Sequence, residues 1–163
     1  MTQLHNSMKA PKIQLRNGAV KGTVIERSGV QINIFNDIPF AKCDRFEKPQ
    51  PYGAWDGLWD GTVKTRRCPA SRDTDAFYNS MSATIRPLFA DYTDSTKFVE
   101  SEESLHLSVV CPNTAGKKPI MVWIHGGGWL NGAVSDYDYS VLAATGDVIV
   151  VAITYRAGFI KLS

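Results

Sequence analysis

With 163 residues, 44% of them hydrophobic, the chain is long enough for one domain with a sizeable core and too apolar to be disordered over most of its length. Its 18 basic and 16 acidic residues leave a net charge of +2 and are interspersed apart from a short cluster at Lys64, Arg66 and Arg67, so neither nucleic acid nor a membrane surface is indicated as a partner. Three cysteines, Cys43, Cys68 and Cys111, form an odd count without CxxC spacing, which argues against a disulfide framework and against a metal site.

Residues 1–12, MTQLHNSMKAPK, read as a flexible N-terminus; they carry no apolar core of the kind a secretory signal needs, and no later stretch approaches the ~18 apolar residues of a membrane span. A cytoplasmic protein is the expectation. Asn17-Gly18 and Ser28-Gly29 are turn signals. Around them, Val20 to Arg27 and the alternating Val30 to Phe35 predict an antiparallel hairpin or meander. From Asp37 to Ala70 the chain is rich in Pro, Gly and Trp and reads as ordered loop, with Trp55 and Trp59 expected to pack on a core. The basic cluster within it reads as a solvated face.

Residues Asp73 to Thr96 show no firm period, and Arg86-Pro87 interrupts any longer helix there, so the stretch reads as irregular with one helical turn or two. Ser104 to Val110 alternates, with Leu105, Leu107 and Val109 on one face and His106 on the polar side, so a strand is predicted that Cys111-Pro112 ends. Asn113 to Lys118 is a turn. Ile120 to Ile124 is apolar throughout and predicts a buried strand. Further on, Tyr139 to Thr145 suits a short helix, and Val148 to Tyr155 reads as a central parallel strand covered on both faces.

Between these last elements stands His125-Gly126-Gly127-Gly128. Glycines at a strand exit turn sharply and leave their N–H groups open, which suits an anion. Such a loop matches the HGGG type of oxyanion hole, whose backbone donors receive the negative oxygen of a tetrahedral acyl intermediate. Neither a P-loop nor a dinucleotide fingerprint is satisfied here, so no cofactor is expected. The plainer alternative is that the glycines only permit a tight strand exit. No Gly-x-Ser-x-Gly occurs in the 163 residues, so the nucleophile of a serine hydrolase is not among them. A catalytic base needs an orienting carboxylate and a nucleophile beside it, and His125 shows neither, so it reads as a histidine that shapes the loop.

Taken in order, the G-x-V-x-G of Gly18 to Gly22, FNDIPFA (Phe35 to Ala41), Arg45-Phe46, Trp55, Cys68-Pro69, SEESLHLSVVCP (Ser101 to Pro112), MVWIHGGGW (Met121 to Trp129) and VIVVAITYRAG (Val148 to Gly158) resemble the N-terminal part of the type-B carboxylesterases, the cholinesterase-like branch of the α/β-hydrolase fold. The resemblance runs from about residue 13 to 158. It implies an α/β fold: a partial α/β-hydrolase with an N-terminal antiparallel hairpin and the first strands of the central sheet, residues 13–163 forming one incomplete domain. It also implies hydrolysis of a small-molecule carboxylic ester by a Ser, acid and His that would all follow Gly158. Carried over by position, the oxyanion donors are the N–H groups of Gly127 and Gly128, with Gly126 setting the turn. Arg45 and Glu102 resemble a structural ion pair, for which Glu103 is the competing partner.

Departures from the family pattern matter as well. Ser104 stands where the family has the cysteine that pairs with the one at Cys68, so that disulfide cannot form, in keeping with a reducing compartment. Asp37 replaces a glycine. No tryptophan lies between Cys68 and Ser104, which disfavours a choline ester. The expectation is a fragment of a carboxylesterase-like hydrolase, inactive alone, whose final apolar strand is left as an unpaired edge that promotes self-association. The alternative expectation is a non-catalytic interaction module of cholinesterase type.

Overall fold

The structure, a computed structural model, describes residues 9–69, 79–89 and 96–158. The expectations for residues 1–8 and for most of Asp73 to Thr96 lie outside them; the described part of that last stretch holds a 3-10 turn at Arg86–Phe89, which Arg86-Pro87 begins instead of breaking. Proline lacks an N–H and has a fixed φ, so it fits the first turn of a helix.

Two hairpins open the chain. Strands β1 (Lys12–Gln14) and β2 (Ala19–Lys21) pair antiparallel around the Leu15 to Gly18 turn, and β3 (Thr23–Arg27) pairs antiparallel with β4 (Val30–Pro39). Ser28 and Gly29 both take positive φ, 52° and 75°, as the two-residue primed turn of a right-twisted hairpin requires. The segment read as loop then contributes short pieces of strand: β5 (Ala41–Lys42) with β6 (Gln50–Pro51), β7 (Leu58–Asp60) alongside β2, and β8 (Thr65–Arg67) parallel to β9 (Phe98–Glu100).

The main sheet has five strands in the order β11-β12-β10-β4-β3, where β10 is His106–Pro112, β11 Ile120–Ile124 and β12 Ile149–Ile153. β12 runs parallel to β11 and antiparallel to β10, so the sheet is mixed, and β12 is an interior strand. The expected unpaired edge therefore falls on β11, whose only partner among the described residues is β12. The expectation of a buried β11 is overturned with it. All five of its side chains are exposed, from 40% at Trp123 to 65% at Ile120. An apolar run shows that a strand seeks cover, but whether it has cover depends on what packs beside it.

Helix α1 (Ser140–Gly146) lies on one face of the sheet and closes a core of Ile32, Val110, Val134, Tyr139, Ala143, Val150 and Ala152. It ends at Asp147, in the left-handed conformation, whose carboxylate meets Lys118 at 2.8 Å. On the opposite face Val20, Phe35 and Ile38 pack with Trp55, Trp59, Leu107 and Val109. The tryptophans are held by their indole N–H groups, Trp55 donating to the Ala19 carbonyl (3.1 Å) and Trp59 to that of Asp37 (2.8 Å).

Because β10 has a core on each side, its polar alternation does not mark a wet face. His106 and Ser108 are each 2% exposed, more deeply buried than Leu107 and Val109, so the polar side on which the alternation places His106 is covered as well. The strand also runs through Cys111 to Pro112 instead of ending before them.

Candidate functional site: the glycine loop at the end of β11

Where β11 ends, the chain turns through Gly127 (φ 123°), Gly128 (φ 59°) and Trp129 (φ 68°). The sharp conformation thus lies one residue later than expected: Gly126 is not left-handed and has open space where a Cβ would stand, whereas a Cβ on Gly127 would run into the Asn131 carbonyl oxygen. The turn is closed from below by the N–H groups of Leu130 (3.0 Å) and Asn131 (3.2 Å), which donate to the Gly127 carbonyl. Among the described residues, the N–H groups of Gly127 and Gly128 have no hydrogen-bond partner. Two adjacent N–H groups on a pinned turn are the donor chemistry that an anionic oxygen requires.

His125 lies beneath this turn and is 2% exposed. Its Nδ1 is 2.9 Å from the Gly126 carbonyl oxygen. A carbonyl only accepts, so Nδ1 carries the proton of a neutral ring, and burial, which lowers the pKa of His125, favours that neutral form. Nε2 is buried without a partner among the described residues. The Tyr155 ring stacks on the imidazole with centroids 4.2 Å apart and planes at 11°, and its hydroxyl donates to the His125 carbonyl at 2.6 Å.

The residues around Asp37 form a second polar cluster. Arg66 donates to Asp37 twice, from its backbone N–H and from Nε, each at 3.2 Å, while its Nη1 reaches Glu103 at 2.7 Å. Burial pushes the Asp37 carboxyl up to about 6 and Arg66 opposes the rise. Arg45 forms a fork with Glu102, Nε to Oε2 at 2.9 Å and Nη2 to Oε1, so Glu103 serves Arg66 instead of competing for Arg45. The Arg45–Glu102 fork is exposed; each charge holds its partner ionised, lifting the arginine pKa and lowering that of the glutamate. The solvated face expected at the basic cluster holds for Lys64, which is exposed, but is corrected for Arg67, which is 4% exposed with its guanidinium 4.7 Å from the Phe98 ring centre, because it lies in β8 beside β9.

Cys68 is a free, buried thiol that accepts a hydrogen bond from the Ala157 N–H (3.3 Å), and Ser104 is fully buried. Among the described residues no group of three or more His, Cys, Asp or Glu side chains is placed to hold a metal, and no helix is long and apolar enough to cross a membrane. Of the residues that shape the loop, Tyr155 and Gly132 were missed in the sequence. Tyr155 sits in an apolar run and gives no local signal. Gly132, four residues after Gly128, stands where a Cβ would meet the Gly126 carbonyl and the His125 ring.

A mixed sheet with a helix on one face and a glycine turn at a strand end defines an α/β protein. Residues 9–160 match the sequence model of the Carboxylesterase family, and the chain belongs to that family. It is 36% identical over 157 residues to Carboxylesterase 3 of Pongo abelii, covering 91% of this chain and 26% of that protein. It is 38% identical over 156 residues to Para-nitrobenzyl esterase of Bacillus subtilis (strain 168), covering 90% and 28%, and 35% identical over 157 residues to Carboxylesterase 3 of Homo sapiens, covering 91% and 26%. The chain spans about a quarter of the length of these relatives.

Proposed function

We propose that this chain supplies the oxyanion-hole loop of a carboxylic ester hydrolase, with the N–H groups of Gly127 and Gly128 as donors to the negative oxygen that forms when an ester carbonyl is attacked. The observation that carries the reading is the pinned left-handed turn at the end of β11, with two adjacent N–H groups unpartnered among the described residues. A preorganised donor pair contributes because the charge it serves exists only in the transition state. The domain is the N-terminal part of a carboxylesterase domain, and its substrate a small-molecule carboxylic ester. A free Cys68 with serine at position 104 suits a reducing compartment such as the cytoplasm.

These 163 residues contain no nucleophile elbow, so by themselves they do not turn over an ester. An oxyanion hole and binding alone are worth about 10³–10⁴ over water, and only in an intact pocket. The test is p-nitrophenyl acetate with the purified chain: no saturable hydrolysis is expected, and saturable hydrolysis blocked by a serine-directed phosphonate would overturn the statement. The exposed β11 supports one further point, that the chain in isolation self-associates along that strand.

A further inference from the structure

We propose that Tyr155 is the positioning residue of the glycine loop, and that the segment leaving β12 clamps the loop at both ends. For its functional meaning this rests on the oxyanion reading above; for its physical content it does not. Hydrogen-bond donors serve a transition state only if they are held in place beforehand, and glycines are the residues least able to hold themselves. Three glycines in succession therefore need restraint from outside the loop.

The structure places that restraint on the chain just after β12. At the loop's entry, the Tyr155 hydroxyl donates to the His125 carbonyl at 2.6 Å. The Tyr155 ring also covers the imidazole face at 4.2 Å, and the imidazole in turn holds the Gly126 carbonyl through Nδ1 at 2.9 Å. At the loop's exit, the Gly158 N–H donates to the Trp129 carbonyl at 2.7 Å. Tyr155 and Gly158 thus fix the peptides on either side of Gly127 and Gly128, while the Gly127 carbonyl is held by Leu130 and Asn131. The ring of His125 can keep Nδ1 toward Gly126 because Gly132 leaves room for it. Tyr155 acts through His125 and the backbone, its hydroxyl being spent on the His125 carbonyl.

β11 and β12 run parallel with Ile124 opposite Ile153, so Tyr155 extends past the last paired residue, level with the start of the loop. A tyrosine at that place lies beyond the ladder bonds of the two strands, and its hydroxyl supplies a bond to the His125 carbonyl there. Phenylalanine would keep the stacking and lose the bond; leucine would lose both.

The test compares the full 163-residue chain with Tyr155→Phe and Tyr155→Leu by hydrogen exchange and by ¹⁵N-histidine NMR. Loss of one hydrogen bond at a locally opening loop is expected to speed exchange of the Leu130 and Asn131 amides, which donate to the Gly127 carbonyl, about tenfold in Tyr155→Phe, with the β3–β4 hairpin unchanged, and more in Tyr155→Leu. His125 is expected to show the Nδ1-protonated tautomer in the parent chain and to shift toward the Nε2-protonated one in Tyr155→Leu, a signature that general destabilisation does not produce. Loop exchange unchanged in both variants, or exchange accelerated equally throughout the sheet, overturns the proposal. An Nε2-protonated His125 in the parent chain does so even if both variants fail to fold. Absence of ester chemistry in any longer form would remove the oxyanion reading and leave this result untouched.

Discussion

Arg66 grips Asp37 with two donors 3.2 Å away, and Asp37 holds a left-handed backbone angle (φ 56°) at 4% exposure to receive them. Left-handed angles cost a non-glycine residue about 1 kcal/mol, least for Asn and Asp, so the aspartate tolerates in part what a glycine would accept freely. In return its carboxylate ties β4 to β8, and through Arg66 to Glu103 ahead of β10. Such a buried pair is better at fixing geometry than at adding stability, but breaking it is expensive.

Arg66→Ala is therefore expected to destabilise the chain by about 3 kcal/mol near neutral pH, since it leaves a buried carboxylate without its counter-charge. Asp37 already titrates near 6, and removal of Arg66 raises it further. Protonation then discharges the orphan, so the loss shrinks as pH falls from the raised pKa of the variant toward 6 and levels off below it. Urea unfolding at pH 5 and pH 7.5 checks this, and in an Asp37→Asn background the pH dependence of the loss disappears.

His106 sets an opposing pH response. Burial, with Arg66 adding repulsion, lowers it from its ordinary 6.5 to about 4, so the unfolded chain takes up a proton near 6.5 and the folded chain only near 4. Its contribution is complete above pH 6.5 and is lost as pH falls from there toward 4, about 3 kcal/mol in all. Asp37 works in the other direction across the same range: its folded carboxyl is protonated near 6 and the unfolded one near 3.8, so acid relieves it. The parent chain should show a shallow net slope between pH 4 and 6.5. His106→Asn should remove the histidine part and leave stability rising as pH falls, read from chemical unfolding midpoints at half-unit steps.

That cluster also marks the limit of what the sequence discloses. The Ser28-Gly29 turn, the helix near 140–146 and the glycine loop at a strand exit are legible because each is set by local chemistry: positive φ, a short window of helix formers, and flexible backbone after an apolar run. Arg66 and Asp37 lie 29 residues apart and meet only because β8 packs beside the end of β4. Likewise, alternation in β10 shows two faces but not that both are covered, so His106 is buried against expectation. Tyr155 is hidden for the same reason, being one aromatic just past an apolar strand, whose hydroxyl finds its acceptor at the exit of another.

Within the loop the three glycines are not equivalent. Gly126→Ala meets open space at an ordinary backbone angle and should leave stability within about 0.5 kcal/mol. Gly128→Ala also has room but must hold φ 59°, at a cost of about 1 kcal/mol. Gly127→Ala adds a collision with the Asn131 carbonyl to an angle of 123° that an L residue rarely adopts, and should cost the most, about 2–3 kcal/mol. Thermal melts of the three variants check the order 127, then 128, then 126.

The exposed strand β11 gives the most direct test in solution. Ile120, Val122 and Ile124 share one side of it and are 62–65% exposed, while Trp123, on the other, lies 5.1 Å from the Tyr137 ring. An unpaired strand edge flanked by apolar side chains can add a strand from a second copy, and a lysine at such a place is the usual obstacle to it. Val122→Lys puts a charge at an exposed site and should change stability by no more than about 0.5 kcal/mol. If copies associate along β11, gel filtration with light scattering should show the parent chain as a mixture of larger species and Val122→Lys mainly as monomer. A monodisperse monomer in the parent would mean that the edge is not used, and equal association in both would place the contact elsewhere.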